Sequence, residues 1–405
     1  MRTASLMSAR RSCLIALGGL LGANLGGLPS LAAAQSFVGS RRSAMRYRIL
    51  VEVDLASRTR DVGKAIEEGV RQAVLTMKQE MQAQVELVIL NHHGNADRAL
   101  DLLNQVPLAI PDQPVLGIIG GGDANLAPLV ARWATRNALP YGIAWASNPR
   151  LLAQVTSELG SPAPLLRYAV TDDRALDWLS SASLALNKRR WGLLLANDGL
   201  GRATYDNVVE RSSSPNHLEL VGVQWHSRSA VELESQYELL RARGAQMIFL
   251  ATQPPASLVL ANVLAKRGSG FYPPVLCSSN AWHTQIVERT GGAIGRCAMS
   301  FYMPIMESMQ LPIHPAQAFA AQLTEQVIRA EQNLAQQKKE FWQLSAQARW
   351  QELQVNTLWP QDFSAQQVLQ TMRYNAQGQL RGIDATQFFA SSLRTARNER
   401  PVNSV

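Results

Sequence analysis

The sequence predicts an α/β fold of two similar lobes, each built on a parallel sheet with helices on both faces. Short apolar segments bounded by glycine and polar residues alternate with amphipathic segments along most of the chain, which is typical of β-α repeats. The alternation runs twice, before and after a stretch rich in proline, glycine and serine at 160–164. With 405 residues, of which 46% are hydrophobic and 17% charged, the chain is long enough for two globular domains.

The first lobe is predicted at 46–162, and part of 298–345 is expected to cross back to it. Its opening segments are a strand at 47–55, a helix at 62–79, a strand at 85–91 and a helix at 97–105. Apolar runs of this length with no polar face indicate strands that are buried on both sides.

The segment 115–149 is the clearest strand–loop–helix–strand unit. An apolar run breaks at Gly120-Gly121-Gly122-Asp123, continues as a helix, and ends in a second apolar run followed by Ser147-Asn148-Pro149. Parallel sheets bind ligands at the carboxyl ends of their strands, so both loops lie at the edge where binding is expected. The backbone N–H groups of the glycine loop and of the helix start near Asn125 would suit an anionic group. The loop has neither the Gly-Lys-Ser/Thr of a Walker A motif nor the full spacing of a dinucleotide fingerprint.

The second lobe is predicted at 163–297. Its strands are expected at 166–171, 191–196, 218–225, 247–251 and 274–276, and its helices at 173–186, 201–212, 231–243 and 255–267. The last clear strand is 297–303.

Beyond residue 303 the composition changes, and 304–405 is expected to be a divergent, mainly helical C-terminal region. The segment 315–354 is rich in Gln and Ala with apolar residues at helical spacing, which predicts one or two long helices. A hairpin is predicted within 372–382, around Asn375-Ala376-Gln377-Gly378. Residues 395–405 are expected to fray.

Residues 1–34 are predicted to be a secretory signal peptide. A basic start with Arg10 and Arg11 precedes an apolar stretch at 14–21, and Ala32-Ala33-Ala34 provides a small-residue cleavage site. The apolar stretch is too short for a good membrane span. Because Arg10-Arg11-Ser12-Cys13-Leu14 loosely fits a twin-arginine signal, both that route and the general secretory route remain open. Either route predicts a periplasmic protein.

Composition excludes several classes of function. The net charge of +8 includes three arginines of the signal peptide and forms no basic stripe, so no nucleic-acid partner is expected. The six histidines and the cysteines form no cluster with metal-ligand spacing, so neither a metal nor a cofactor is expected. Cys277 and Cys297 remain after export, and two alternatives stay open: a disulfide, which an oxidising compartment permits, or two buried thiols.

Six stretches carry a resemblance to a known family. They are 61–70 (DVGKAIEEGV), 91–97 (NHHGNAD), 119–149, Leu166-Arg167-Tyr168 with Asp172, 196–202 (ANDGLGR) and 244–251 (GAQMIFLA). In order and spacing, residues 46–303 resemble the type I periplasmic substrate-binding proteins of the leucine/isoleucine/valine-binding kind. These are the extracytoplasmic receptors of ABC importers and of some sensor systems. The resemblance implies a two-lobed clamshell that closes on a small solute.

The resemblance also implies a set of first-lobe residues for the site. In members that bind amino acids, loop hydroxyls and N–H groups of the first lobe hold the ligand carboxylate. The matching positions are Ala124, which has no hydroxyl, and Ser147, whose alternative role is to cap the turn before Pro149. The neighbours of these two positions complete the expected first-lobe set, namely Asp123, Asn125 and Asn148.

The second lobe of such proteins meets the ligand ammonium with carboxylates. Asp172 matches one of them, although it is equally placed to cap the helix that follows. The second carboxylate falls near Ser279 and is absent, and Gln253 lies in a strand-end loop where it could bind solute or face solvent. A buried ammonium without carboxylates carries a large desolvation penalty. A less basic solute, such as a carboxylate, an amide or a small alcohol-derived metabolite, is therefore expected.

The function that follows is an extracytoplasmic solute receptor. We expect it to capture a small organic solute, amino-acid-like or an organic acid or amide, and to deliver it as a monomer to an ABC permease. The alternative keeps the fold but makes the protein a sensor or accessory for a membrane kinase or an exported enzyme. Enzymatic activity is not expected, because the sequence has no Gly-x-Ser-x-Gly elbow and no convincing Ser/His/Asp arrangement.

Overall fold

A computed structural model of the chain describes residues 46–78, 84–110, 112–159, 165–212, 218–227, 229–267, 273–305, 314–336 and 368–389. The predicted signal peptide, the predicted helical segment at 337–354 and the tail at 395–405 lie outside these residues. The described residues form two sheets flanked by helices, so the predicted two-lobed α/β architecture is confirmed.

The first sheet is the base of the first lobe and is parallel throughout, in the order β2-β1-β3-β4-β5. Its strands are β1 (Arg46–Val53), β2 (Gln84–Asn91), β3 (Val115–Gly120), β4 (Tyr141–Ile143) and β5 (Leu165–Arg167). The sequence assigns the strand predicted at 166–171 to the second lobe, and this is wrong, because the strand pairs with β4 and completes the first sheet. The first lobe therefore extends to Arg167 rather than ending at residue 162. All six residues of β3 are buried. This is why the segment reads as a continuous apolar run rather than as an alternating one.

The second sheet is the base of the second lobe, in the order β12-β11-β10-β9-β8-β6-β7. Its strands are β6 (Arg190–Ala196), β7 (Glu219–His226), β8 (Met247–Ala251), β9 (Val275–Cys277), β10 (Met299–Ile305), β11 (Val368–Tyr374) and β12 (Leu380–Ile383). Strands β6 to β10 are parallel to one another, and β11 and β12 are added antiparallel at one edge.

Helices connect the strands in chain order. They are α1 (Arg60–Met77), α2 (Ala96–Gln105), α3 (Ala127–Arg136), α4 (Leu151–Leu159), α5 (Asp172–Ala185), α6 (Gly199–Ser212), α7 (Leu233–Ala242), α8 (Ala256–Arg267), α9 (Ile286–Arg289) and α10 (Pro315–Gln336). The described helices contain no segment whose length and hydropathy would suit a membrane span.

Helix α10 lies between β10 and β11 of the second sheet in the chain but packs on the first lobe, against α1, β3 and β4. The helix pair α1–α10 is very close at Gly69, where an added Cβ would lie 2.0 Å from the carbonyl oxygen of Gln317. Only glycine permits this approach. The chain therefore passes from one lobe to the other more than once, and these crossings link the two sheets.

The C-terminal region is not wholly helical. Residues 368–383 form the hairpin β11–β12, where the sequence predicts one, and β11 pairs with β10 from Ser300 to Ile305. The turn is stabilised by Asn375, whose side-chain oxygen accepts from the N–H groups of Gln377 and Gln379. This hairpin covers an edge of the second sheet that β10 would otherwise leave unpaired.

Cys277 and Cys297 are free, buried thiols. Cys277 ends β9 and Cys297 precedes β10. Burial raises the pKa of the Cys297 thiol to about 12 and that of Cys277 well above its ordinary value. Of the two alternatives that the sequence leaves open, the structure has the pair of buried thiols, which are poorly reactive because so little thiolate forms.

Candidate functional site

A cavity of about 300 Å³ lies where the carboxyl ends of strands from both sheets meet. The first lobe contributes the loops after β1 and β2, and the second lobe contributes the loops after β6, β7 and β8. Its lining includes the polar side chains of Ser57, Arg58, Asp198, His226 and Gln253. A concave space of this size with convergent polar groups is typical of small-molecule sites, and we call it the cleft cavity.

The loop after β1 is held by Asp54. Its carboxylate accepts hydrogen bonds from the backbone of Ala56, Ser57 and Thr59 and from the hydroxyls of Ser57 and Thr59. Burial alone would raise the pKa of Asp54, but these hydrogen bonds outweigh it and lower the pKa to about 2. The ionised carboxylate therefore fixes the turn that presents Arg58 to the cavity.

Arg58 forms an ion pair with Asp123 in the glycine loop. The Nη2–Oδ2 distance is 2.8 Å, the Asp123 side chain is fully buried, and the Arg58 side chain is 22% exposed. Burial would lower the pKa of the Arg58 guanidinium, yet Asp123, Asp198 and Asp54 together raise it. The guanidinium thus pairs directly with Asp123 and also interacts electrostatically with Asp198 and Asp54.

Two hydrogen-bonded links join the lobes beside the cavity. Gln253 of the second lobe donates from Nε2 to Oδ1 of Asp123, at 3.2 Å. Asn125 of the first lobe donates from Nδ2 to Oδ2 of Asp198, at 2.9 Å, and its oxygen accepts from the N–H of Leu200, at 3.1 Å. The structure therefore represents the lobes in contact across the cleft.

Two polar atoms in the lining of the cleft cavity have no hydrogen-bond partner among the described residues. They are Nε2 of His226, which is 2% exposed, and Oε1 of Gln253, which is 7% exposed. The other ring nitrogen of His226 lies 2.9 Å from the carbonyl oxygen of Ser227, so Nδ1 carries the hydrogen and Nε2 is an acceptor in the neutral ring. Both open atoms are acceptors, and buried acceptors without partners are rare in folded proteins.

A second polar cluster, which we call the crossover network, consists of Ser147, Asp172, Thr204 and Asn280. The backbone N–H of Asp172 donates to the carbonyl of Ser147 at 3.0 Å, and the Thr204 hydroxyl lies 3.2 Å from Oδ2 of Asp172. Asn280 accepts from the Ser147 hydroxyl at 3.1 Å and donates to the carbonyl of Trp145 at 2.9 Å, with its amide in the orientation that satisfies both. All four side chains are buried.

Burial raises the pKa of Asp172 to about 7, against the opposing effect of hydrogen bonds from Ser147 and Thr204. The carboxyl group therefore exchanges its proton near neutral pH. Because Asp172 begins α5, whose apolar residues pack in the core of the second lobe, the crossover network joins the two lobes at the point where the chain passes between them.

The glycine loop does not present its first N–H to the cleft cavity. Gly121, at a φ of +70°, donates its N–H to Oε2 of Glu52 at 2.7 Å. Tyr141 donates to the same oxygen at 3.0 Å, and Nε2 of His92 lies 2.7 Å from Oε1 of Glu52. The buried carboxylate of Glu52 thus occupies the position that the sequence suggests for an external anion.

Residues 47–374 match the family model described as periplasmic binding protein. The chain belongs to the periplasmic binding protein family. Family membership implies an extracytoplasmic, periplasmic location, and members of the family are substrate-binding proteins rather than enzymes. A comparison with curated proteins gave no significant sequence match.

Solved structures share the fold of this periplasmic binding protein at low sequence identity. A leucine-binding protein from Thermotoga maritima has a TM-score of 0.61 at 13% identity, over 84% of this chain and 97% of that chain. An isoleucine complex of a branched-chain amino acid transporter substrate-binding protein from Streptococcus pneumoniae has a TM-score of 0.63 at 11% identity, over 84% and 99%. A fatty acid ABC transporter substrate-binding protein from Thermomonospora curvata has a TM-score of 0.65 at 12% identity, over 84% and 92%. At these identities the similarity shows the fold alone.

The site residues suggested by the sequence of this periplasmic binding protein fall into three groups. Gln253 lines the cleft cavity. Asp123 and Asn125 lie beside it, and their polar atoms bind Arg58, Gln253 and Asp198. The others are buried elsewhere.

The residues of this last group have internal partners or apolar surroundings. Ser147 and Asp172 belong to the crossover network, and the Ser279 hydroxyl donates to the carbonyl of Val170 at 3.5 Å. Ala124 is fully buried in an apolar cluster that also contains Leu200. Asn148 accepts from the N–H of Arg150 at 3.0 Å.

Sequence reasoning missed Arg58, Asp198 and His226. A signal was present for the histidine, because His226 is the last residue of β7 and the carboxyl end of a parallel strand is where ligands bind. Asp198 lies in a loop that resembles a family motif. Arg58 had no such signal, since its role depends on an ion pair with a residue 65 positions away.

Proposed function

We propose that this protein captures a small organic solute in the cleft cavity and delivers it to the permease of an ABC importer. The observation that carries the proposal is the composition of the cavity, whose lining comes from strand-end loops of both sheets. A solute held by both lobes favours their closed arrangement, and a partner can recognise that closed shape. The names of the structural neighbours support delivery to an importer.

The links between the lobes support capture by closure. The contacts of Asn125 with Asp198 and of Asp123 with Gln253 join loops of different lobes, so opening the cleft must separate these pairs. A solute that adds hydrogen bonds to both sides shifts the population toward the closed state by its extra affinity for that state. No chemical step is involved, and we expect the solute to be released unchanged. We also expect the protein to act as a monomer.

Capture is tested with the exported chain after unfolding and refolding have removed any carried-over ligand. A small-molecule extract of the organism that carries the gene is added, and the thermal midpoint and the radius of gyration in solution are measured. We expect the midpoint to rise and the radius to fall, with the bound compound recovered chemically intact by mass spectrometry. No response to the extract, or recovery of a converted product, would contradict solute capture.

Delivery is tested separately with the importer complex from the same organism in liposomes. ATP hydrolysis should rise when the binding protein and the extract are added together and should stay at its basal rate with either alone. If capture succeeds but hydrolysis does not respond, transport is wrong, and a sensor or accessory role replaces it.

A further inference from the structure

The cleft cavity contains buried hydrogen-bond acceptors that lack donors. Oε1 of Gln253 and Nε2 of His226 are buried acceptors without partners in the described part of the chain, and both residues line the cavity. They come from strand-end loops of the second lobe, after β8 and at the end of β7, two strands that flank β6 in the sheet. A solute that satisfies both must supply at least two donor hydrogens, because leaving a buried acceptor unpaired is costly.

The cavity also offers a donor from the opposite lobe. Arg58 uses Nε and Nη2 on Asp123, and a guanidinium has a further N–H pair on Nη1. The solute therefore meets acceptors on one side and a donor on the other. A hydroxyl group serves both, because it donates one hydrogen bond and accepts others.

The charges around the cavity disfavour a negatively charged solute. Arg58 interacts electrostatically with three carboxylates, those of Asp54, Asp123 and Asp198. A carboxylate solute would add a fourth negative charge to a half-enclosed space of reduced dielectric, where repulsion is stronger than in water.

A cationic solute is disfavoured for a different reason. Both oxygens of each carboxylate already accept hydrogen bonds from the protein: Asp54 from its own loop, Asp123 from Arg58, Asn125 and Gln253, and Asp198 from Asn125 and Gly201. The acceptors that remain open, Oε1 of Gln253 and Nε2 of His226, carry no negative charge. A buried ammonium there would lie near the Arg58 charge without a carboxylate of its own.

We propose that the cleft cavity binds an uncharged solute that carries several neighbouring hydroxyl groups, of the polyol or sugar class. This rests on the proposed capture function and narrows it: hydroxyl hydrogens pair with His226 and Gln253, and a hydroxyl oxygen accepts from Arg58. The class differs from the carboxylate that the sequence suggests, because the ion pair of Arg58 with Asp123 becomes visible only in the fold.

The experiment separates solute classes before any compound is identified. The extract is passed in series over a strong anion exchanger and a strong cation exchanger, and the neutral, anionic and cationic fractions are added separately to the refolded protein. The thermal midpoint is measured for each fraction, with and without prior treatment with periodate, which cleaves neighbouring hydroxyl pairs. We expect stabilisation by the neutral fraction alone and its loss after periodate.

Two variants link the response to the open acceptors. Gln253→Met and His226→Phe remove one acceptor each with similar side-chain volume, and each should weaken binding of the neutral solute about tenfold. The matched control is Gln236→Met on α7. Gln236 also donates from Nε2 to a backbone carbonyl and also has an unpartnered Oε1, but it does not line the cavity. The affinity of Gln236→Met for the neutral solute should stay within about twofold of that of the parent protein.

The possible results point to different failures. Stabilisation by the anionic or cationic fraction, or by a neutral fraction that periodate leaves active, overturns the solute class and leaves capture intact. Unchanged affinity in both acceptor variants overturns the proposed contacts of the solute with Gln253 and His226. No stabilisation by any fraction or by the whole extract overturns the capture function itself.

Discussion

The crossover network and the cleft cavity are both polar, both largely buried and both shared by the two lobes, but they differ in what they leave unpaired. In the crossover network, Ser147, Asp172, Thr204 and Asn280 find partners within the chain. In the cleft cavity, His226 and Gln253 each present an acceptor that no described residue satisfies. Buried polar side chains therefore indicate a binding site only where the protein leaves some of their hydrogen bonds unmade.

The largest effect expected from the crossover network is a dependence of stability on pH. The pKa of Asp172 is about 7 in the fold and 3.8 ordinarily, so the folded state holds this proton more tightly than the unfolded chain does. Stability therefore falls as pH rises from about 4 to about 7 and is constant above. The difference corresponds to at most about 4 kcal/mol.

Asp172→Asn tests this directly, because the variant has no proton to lose. The free energy of unfolding of the variant minus that of the parent protein, measured by urea titration, should increase between pH 4.5 and pH 8. Other titrating groups cancel in this difference. If the difference in free energy of unfolding stays constant across the pH range, Asp172 is ionised in the folded protein. The crossover network would then contain a buried charge, and the contrast drawn with the cleft cavity would be wrong.

The next largest effect concerns the ion pair at the cleft. Arg58→Met leaves the fully buried Asp123 carboxylate without its cation, which should lower the free energy of unfolding by about 3 kcal/mol. Adding Asp123→Asn should recover much of the loss, since the buried charge is then gone. Denaturant titration of both single variants and the double variant gives the coupling energy, and strictly additive losses would contradict a functional pair.

A smaller effect is expected at the link between the lobes. Asn125→Ala removes the contacts with Asp198 and the N–H of Leu200, which should cost about 1 kcal/mol and increase the radius of gyration of the unliganded protein. Asn148→Ala is the control, because Asn148 accepts from Arg150 within its own loop. An equal change of radius in the two variants would mean that Asn125 does not hold the cleft closed.

Most of the architecture could be predicted from the sequence, because most strands and helices have a local pattern. Helix α4 was not predicted, and strand β5 was assigned to the wrong lobe, because its sheet depends on pairing with β4. The apolar run of β3, the amphipathic α1 and the Asn375–Gly378 turn are properties of short segments. The edge of the sheet where the cavity lies also followed from strand direction.

The details of the candidate site depend on distant pairs and could not be predicted in the same way. Glu52 and Gly121 are 69 residues apart, and Asp123 and Gln253 are 130 apart. No local sequence pattern indicates that Glu52 accepts a hydrogen bond from the N–H of Gly121. The available indication was the carboxylate of Glu52 within the largely apolar strand β1.

In the proposed function, the cleft cavity holds the solute and the crossover network only stabilises the fold. The most direct test is calorimetric titration of Gln253→Met and Ser147→Ala with the same purified neutral solute. We predict a loss of affinity of about tenfold in Gln253→Met and a change within about twofold in Ser147→Ala. A large loss in Ser147→Ala with unchanged affinity in Gln253→Met would contradict the account.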